Sequence, residues 1–360
     1  MTQANMAATR PEPGGRDSST RILDAIQSLG LLGVILVGGF LLSLASPVFF
    51  SRINIENLLF ASTIIAVVAM GQAFVILVAG IDLAVGAVLA LASVLCVVLA
   101  TKAGLPVGLA ALLALLTGTI IGLVNGLAVT VLRLPALIAT LAMMSVVRGV
   151  AYLVSDGRNI APVPSIYVEI QGTRIFGVPL VIVLTVLLGI VAHLVLTRTR
   201  FGREIYATGG NPVAARLAGI RTDRVIVLAY MISGFAAALG GLMITARLEA
   251  GAATAGFGYE LTVISAVVIG GVSLFGGEGR IPGVLLGVIL LGLVQNAVNL
   301  LNVPPNYDYV VSGIVIAAAA TLDVSRRRLI EQGLRRRTML IRREKAETRD
   351  AAQASARKDD

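Results

Sequence analysis

Tryptophan is absent from the 360 residues, and cysteine and histidine occur once each, as Cys96 and His193. A single cysteine excludes a disulfide within the chain and any cysteine-based metal site. Charged residues make up only 14% of the sequence, against about 25% in a soluble domain, while 57% is hydrophobic. The mean hydropathy of +0.91 agrees. No catalytic triad or metal cluster stands out, and no G-x-x-x-x-G-K-[Ser/Thr] phosphate loop occurs. Catalytic residues, metals and cofactors are therefore not expected.

Long apolar runs take the place of that chemistry. A bilayer core of roughly 30 Å needs about 20 apolar residues in a helix. Runs at 28–50, 58–80, 82–101, 105–131, 135–155, 178–197, 224–247, 259–275, 281–302 and 307–324 predict an all-α membrane protein of about ten spans. The third and eighth are short or glycine-rich. The runs are continuous and lack the roughly 10-residue alternation of a membrane β-barrel.

The charge of +9 has a lopsided distribution. With ten spans and the N-terminus inside, 23 of the 29 Lys and Arg fall on the inner side. Arg52, Lys102, Arg148, Arg158, Arg174 and Arg247 fall in or near outer segments. Cytoplasmic loops carry the excess positive charge in membrane proteins. Both termini are thus expected in the cytoplasm, with no cleavable signal, and no nucleic-acid surface is needed to explain the basic balance. Residues 1–27, polar and rich in Pro and Gly, predict a disordered tail ahead of a membrane domain at 28–325. Residues 326–360 form a basic tail that reads as an anchor on anionic headgroups or as a partner-docking helix.

The inner loop at about 198–223 reads RTRFGREIYATGGNPVAARLAGIRTD with its flanks. Gly209-Gly210-Asn211-Pro212 signals a turn into a helix, with Asn211 as N-cap and Pro212 in the first turn. Gly219 suits the C-terminal end of that helix, which also carries Ala215 and Arg216. Membrane topology does not require such a helix, and it would suit a soluble partner. The glycine-rich Gly270–Arg280 reads as a tight hairpin near the inner surface.

Two acids interrupt the apolar runs. Gly80-Ile81-Asp82-Leu83-Ala84-Val85 and Gly258-Tyr259-Glu260-Leu261-Thr262-Val263 share the pattern G-x-[Asp/Glu]-L-x-V. Gly122-Leu123-Val124-Asn125 and Gly292-Leu293-Val294-Gln295 form a second pair, each with a proline thirteen residues after its glycine. Spans 2–5 would then correspond to spans 7–10 as an inverted repeat, which places a substrate pathway at the repeat interface. Asp82 and Glu260 read either as acids capping a helix start or as polar contacts lining that pathway. Asn125, Gln295, Asn296 and Asn299 read either as interhelical hydrogen-bonding groups or as pathway amides. Arg148 would snorkel outward or pair with an acid, and His193 would sit at the inner interface.

AGIDLAVGAVLALAS, RLPALIATLAMMSVVRGVAYLVSDGRNI, RTRFGREIYATGGNPVAARLAGI and GYELTVISAVVIGGVSLFGGEGRIPGVLLGVILLG occur in this order. From about residue 55 to 323 the chain resembles the permease subunits of bacterial ribose/xylose/galactose-type ABC importers. The resemblance implies a multi-pass inner-membrane subunit that pairs with a second permease subunit, commonly identical. It also implies a periplasmic sugar-binding protein, a separate cytoplasmic ABC ATPase, and alternating access. The helix at Pro212–Gly219 would then be the coupling helix. Relatives of this architecture that carry nucleosides, amino acids or a signalling furanose remain alternatives, as does an ion-coupled secondary carrier.

Overall fold

The structure, a computed structural model, describes residues 18–301 together with Tyr307, Val310, Gly313, Ile314, Ala317 and Thr321. Among them are twelve helices: α1 (Ser18–Ala45), α2 (Arg52–Leu77), α3 (Val85–Thr101), α4 (Val107–Thr130), α5 (Ala136–Ser155), α6 (Ser165–Gly172), α7 (Leu180–Arg198), α8 (Arg200–Gly210), α9 (Pro212–Leu217), α10 (Thr222–Leu248), α11 (Tyr259–Ile269) and α12 (Ile281–Leu300). One small antiparallel hairpin, β1 (Arg174–Ile175) and β2 (Val178–Pro179), stands in the loop before α7.

Six helices, α2, α4, α5, α7, α10 and α12, are long and apolar enough to cross a membrane. Three other expected spans are helical but shorter in their apolar part: Leu29–Ala45 of α1, α3 and α11. At 1.5 Å per residue the 11 residues of α11 reach about 16 Å, half a bilayer core. The expected eighth span is thus a half-length helix followed by the glycine hairpin. The tenth expected span falls mostly outside the described residues, and the basic tail wholly so. α1 begins at Ser18, so residues 18–27 of the expected N-terminal tail are helical and the rest lie outside the description.

α2 is central. Every residue from Ser62 through Leu77 is buried, as expected for a helix apolar on all sides. It packs with α10, α12, α11 and α7, while α4, α5 and α7 turn wide faces of Leu, Ile and Val outward. Between helices in lipid the hydrophobic drive is weak, so close packing must come from small residues. The buried stripe of α4 is Ala110, Ala114, Gly118, Gly122 and Gly126, at intervals of four. A Cβ at Gly122 would collide with the Tyr230 carbonyl of α10, and one at Gly118 would lie 2.5 Å from the Gly234 carbonyl.

Two non-helical segments enter this packed core. Residues 78–84 join α2 to α3, with Ala79 in the left-handed region at φ 62°. Residues 249–258 join α10 to α11, with Glu249 at φ 49° ending α10. A Cβ on Gly86 would collide with the Gly256 carbonyl, so the first turn of α3 lies directly against the second segment. The starts of α3 and α11 therefore meet inside the protein.

Candidate translocation site

Non-helical backbone at membrane depth survives only where protein groups or a cavity satisfy its hydrogen bonds. In residues 78–84, the Ile81 carbonyl accepts from the Tyr230 hydroxyl at 3.2 Å and from Thr140 at 3.3 Å. Gln72, with its amide nitrogen toward the Asp82 carbonyl (3.2 Å) and its oxygen toward the Asp82 amide (3.1 Å), satisfies both backbone groups. In residues 249–258, Gly251 and Ile160 exchange backbone bonds of 2.9 Å. Arg148 donates through Nη1 to the carbonyls of Ala253 and Ala255, each at 2.8 Å, and the Ala252 amide donates to Ser93 at 3.3 Å. Arg148 thus holds two carbonyls that no helix serves, with the acid Glu260 near enough to interact with its charge.

Asp82 is 2% exposed and lies between four helices. Its carboxylate accepts from Ser233 of α10 at 2.9 Å, from the Ala84 amide at 3.0 Å and from Asn125 of α4 at 3.4 Å. The N-cap position of α3 is Ala84, so Asp82 stands two residues ahead of it. It turns the chain into α3 and ties that turn to α4 and α10. Glu260 is not its positional equivalent, because it lies within the first turn of α11, after the N-cap Gly258. Its Oε2 is buried against Gly86 and makes no hydrogen bond among the described residues.

The remaining sequence candidates gather elsewhere. Gln295, Asn296 and Asn299 of α12 line a cavity of about 240 Å³ with Asn57 of α2, Arg247 of α10 and Tyr259 of α11. Asn296 also exchanges bonds of 2.7 and 3.2 Å with Asn54, closing α12 on α2. The six pathway candidates thus fall into a buried tie (Asp82, Asn125), a polar cavity (Gln295, Asn296, Asn299) and Glu260 near the meeting point of the two breaks. Sequence reasoning missed Asn57, Arg247, Gln72 and Ser233. Gln72 left a signal as the one amide in the apolar run 58–80.

The cavity and the inner loop sit at opposite ends of α2. At its start, Glu56 takes a bidentate pair from Arg174 of β1, at 2.8 and 2.9 Å. That carboxylate holds the Arg174 guanidinium above its ordinary value. At its end, the Leu77 carbonyl accepts from Gly277 of the glycine hairpin at 2.9 Å. There α8, which sequence reasoning left as loop, starts with Thr199 capping Gly202 at 3.1 Å. Asn211 caps α9 through Val213 and Ala214 at 3.1 and 3.0 Å, and Gly219 follows at φ 84°. α9 ends at Leu217, two residues short of the expected limit. Val213 and Leu217 are exposed, Ala215 is buried, and Arg216 bonds to Thr222 at 2.7 Å and Asp223 at 3.1 Å.

Comparison with known proteins adds a family. Residues 54–320 match the family described as branched-chain amino acid transport system, permease component. The ribose import permease protein RbsC of Bacillus subtilis is 42% identical over 83% of this chain and 93% of its own length. The L-arabinose transport system permease protein AraH of Escherichia coli is 40% identical over 82% and 89%. The D-allose transport system permease protein AlsC of Escherichia coli is 36% identical over 78% and 86%. No solved structure matches the chain. With three quarters of its length inside the family match and six helices able to cross a membrane, the chain belongs to this family of multi-pass membrane permeases.

Proposed function

We propose that this chain is the transmembrane permease subunit of an ATP-binding cassette importer, passing a monosaccharide across the bacterial inner membrane by alternating access. The observation that carries the reading is the set of relatives named for ribose, arabinose and allose, each matched over 86–93% of its own length. The cavity supports it chemically. Asn57, Gln295, Asn296 and Asn299 offer neutral amides that donate and accept, as sugar hydroxyls do.

In this reading a periplasmic binding protein delivers the sugar to the outer end, near Glu56 and the β1–β2 hairpin. A cytoplasmic ABC ATPase docks on α9, where exposed Val213 and Leu217 suit a protein surface better than water. Gly209, Gly210, Asn211, Pro212, Ala215, Arg216 and Gly219 form the loop that takes up its motion. A second copy of the chain completes the channel. The arginine distribution supports placing both termini in the cytoplasm, and the apolar run lengths support about ten spans. The inverted repeat draws support from the two breaks that bring the starts of α3 and α11 together.

One observation favours a second solute. Arg247 lines the cavity and suits a carboxylate, in keeping with the branched-chain amino acid transport description of the family. Reconstitution in liposomes with the neighbouring ATPase and binding protein separates the readings. ATP-dependent uptake of ribose, arabinose or allose is expected. Uptake of leucine alone would replace the sugar, and uptake without ATP would overturn the importer.

A further inference from the structure

Three backbone segments meet at the inner end of α2 with no side chains between them. The glycine hairpin donates the Gly277 amide to the Leu77 carbonyl at 2.9 Å. A Cβ on Gly209, at the end of α8, would collide with that same carbonyl and lie 2.6 Å from the Gly277 nitrogen. A Cβ on Gly277 would lie 2.7 Å from the Gly210 Cα, and one on Gly276 would lie 2.8 Å from the Ala79 nitrogen. The Tyr206 hydroxyl adds a 2.8 Å bond from α8 to the Gly279 carbonyl. Such contacts transmit displacement because no flexible side chain is present to absorb it.

What leaves this junction leads to the site in two directions. Ala79 is the second residue of the segment 78–84, and three residues later Asp82 is tied to α4 and α10. Arg280 leads straight into α12, which carries Gln295, Asn296 and Asn299 along one wall of the cavity. The inner loop thus abuts, at one point, both the break before α3 and the root of α12.

Resting on the importer reading, we infer that Gly276–Gly277 of the hairpin, stacked on Gly209–Gly210, is the positioning junction through which movement of α8 and α9 reaches the polar cavity. Gly276, Gly277 and Tyr206 are then transport residues, although none of them touches solute. A purely architectural junction would set how much complex assembles. A transmitting one sets how much solute moves per ATP hydrolysed.

The test uses the full complex of permease, ATPase and binding protein in liposomes, with ribose as the probe solute. Tyr206→Phe keeps the ring and removes the bond to Gly279. Gly277→Ala inserts a methyl group against Gly210. The ratio of ribose taken up to ATP hydrolysed is expected to fall about fivefold in Tyr206→Phe, the factor one net hydrogen bond supplies. Gly277→Ala should lower it further. If Gly277→Ala does not assemble, Tyr206→Phe decides alone, because it alters no packing volume inside the ring. An unchanged ratio in Tyr206→Phe overturns the junction. Failure of the wild-type complex to couple uptake to ATP overturns the importer reading instead, so the two results are distinguishable.

Discussion

Replacing Asp82 separates a structural tie from a solute contact. In Asp82→Ala the Ser233 hydroxyl, the Ala84 amide and the Asn125 amide all lose their acceptor. An orphaned buried donor costs about 1–3 kcal/mol. The low end applies to each, because Ser233 can rotate to another acceptor and the Asn125 bond is already long. The sum is about 3 kcal/mol, a large share of the roughly 5–15 kcal/mol that holds a folded protein together. Asp82→Asn is different. Its remaining oxygen still accepts from Ala84, and its NH₂ group donates to Ser233, whose hydroxyl can turn to accept. The Asn125 amide donates to that same oxygen, so its bond is kept too, and only the charge assistance of these bonds is lost, about 1 kcal/mol.

Thermal melting of the purified permease in detergent should therefore place Asp82→Ala far below wild type and Asp82→Asn close to it. Uptake by the Asp82→Asn complex should stay within a few-fold of wild type, since a carboxylate only 2% exposed has no surface to offer a solute. Wild-type melting of Asp82→Ala would refute the tie. Wild-type melting of Asp82→Asn with uptake down more than about tenfold, worth 1.4 kcal/mol, would show that the charge itself serves transport.

Four further outcomes follow. Gly122→Leu drives a side chain into the Tyr230 backbone and should abolish monodisperse protein on size exclusion, whereas Gly108→Leu, with no atom within 4 Å of the added carbon, should melt within about 0.5 kcal/mol of wild type. Arg148→Ala leaves the Ala253 and Ala255 carbonyls unserved, at about 1.5–3 kcal/mol each, so proteases should cut within 249–258 at lower temperature than in wild type. Gln295→Leu should raise the KM for ribose uptake about fivefold, one hydrogen bond's worth, while basal ATP hydrolysis stays constant. Calorimetry of ribose with the permease alone should show no saturation below about 1 mM, because four neutral amides at about 1 kcal/mol net each supply only about 4 kcal/mol.

What could be read along the chain was whatever depends on neighbours in sequence. Run length locates nine of the helices, and Asn211-Pro212 marks the start of α9, because both signals act within one turn. The stripe Gly118-Gly122-Gly126 was equally visible, and its period of four points to a close helix contact. α8 was hidden because its terminal Gly209-Gly210 looks like loop when its tertiary neighbours are unknown. The role of Asp82 was hidden for a related reason. Its strongest partner, Ser233, lies 151 residues away, and local pattern offered a helix-start cap or a pathway contact, whereas the N-cap position itself is held by Ala84.

The split between tie and cavity has a physical logic that neither feature shows alone. Charges sit where the fold needs them: Asp82 fixes one break and Arg148 the other through hydrogen bonds. Most of the polar residues lining the cavity are neutral amides, with Arg247 as the one cation among the described residues there. A solute held by neutral groups exchanges hydrogen bonds with water at little net gain, so it is bound weakly and released readily, as passage demands. Weak binding also limits discrimination, since few buried groups are left unpaired when a similar solute takes the place. On the importer reading proposed above, much of the selectivity would then act before the cavity is reached, in the delivering protein and not in the pocket amides.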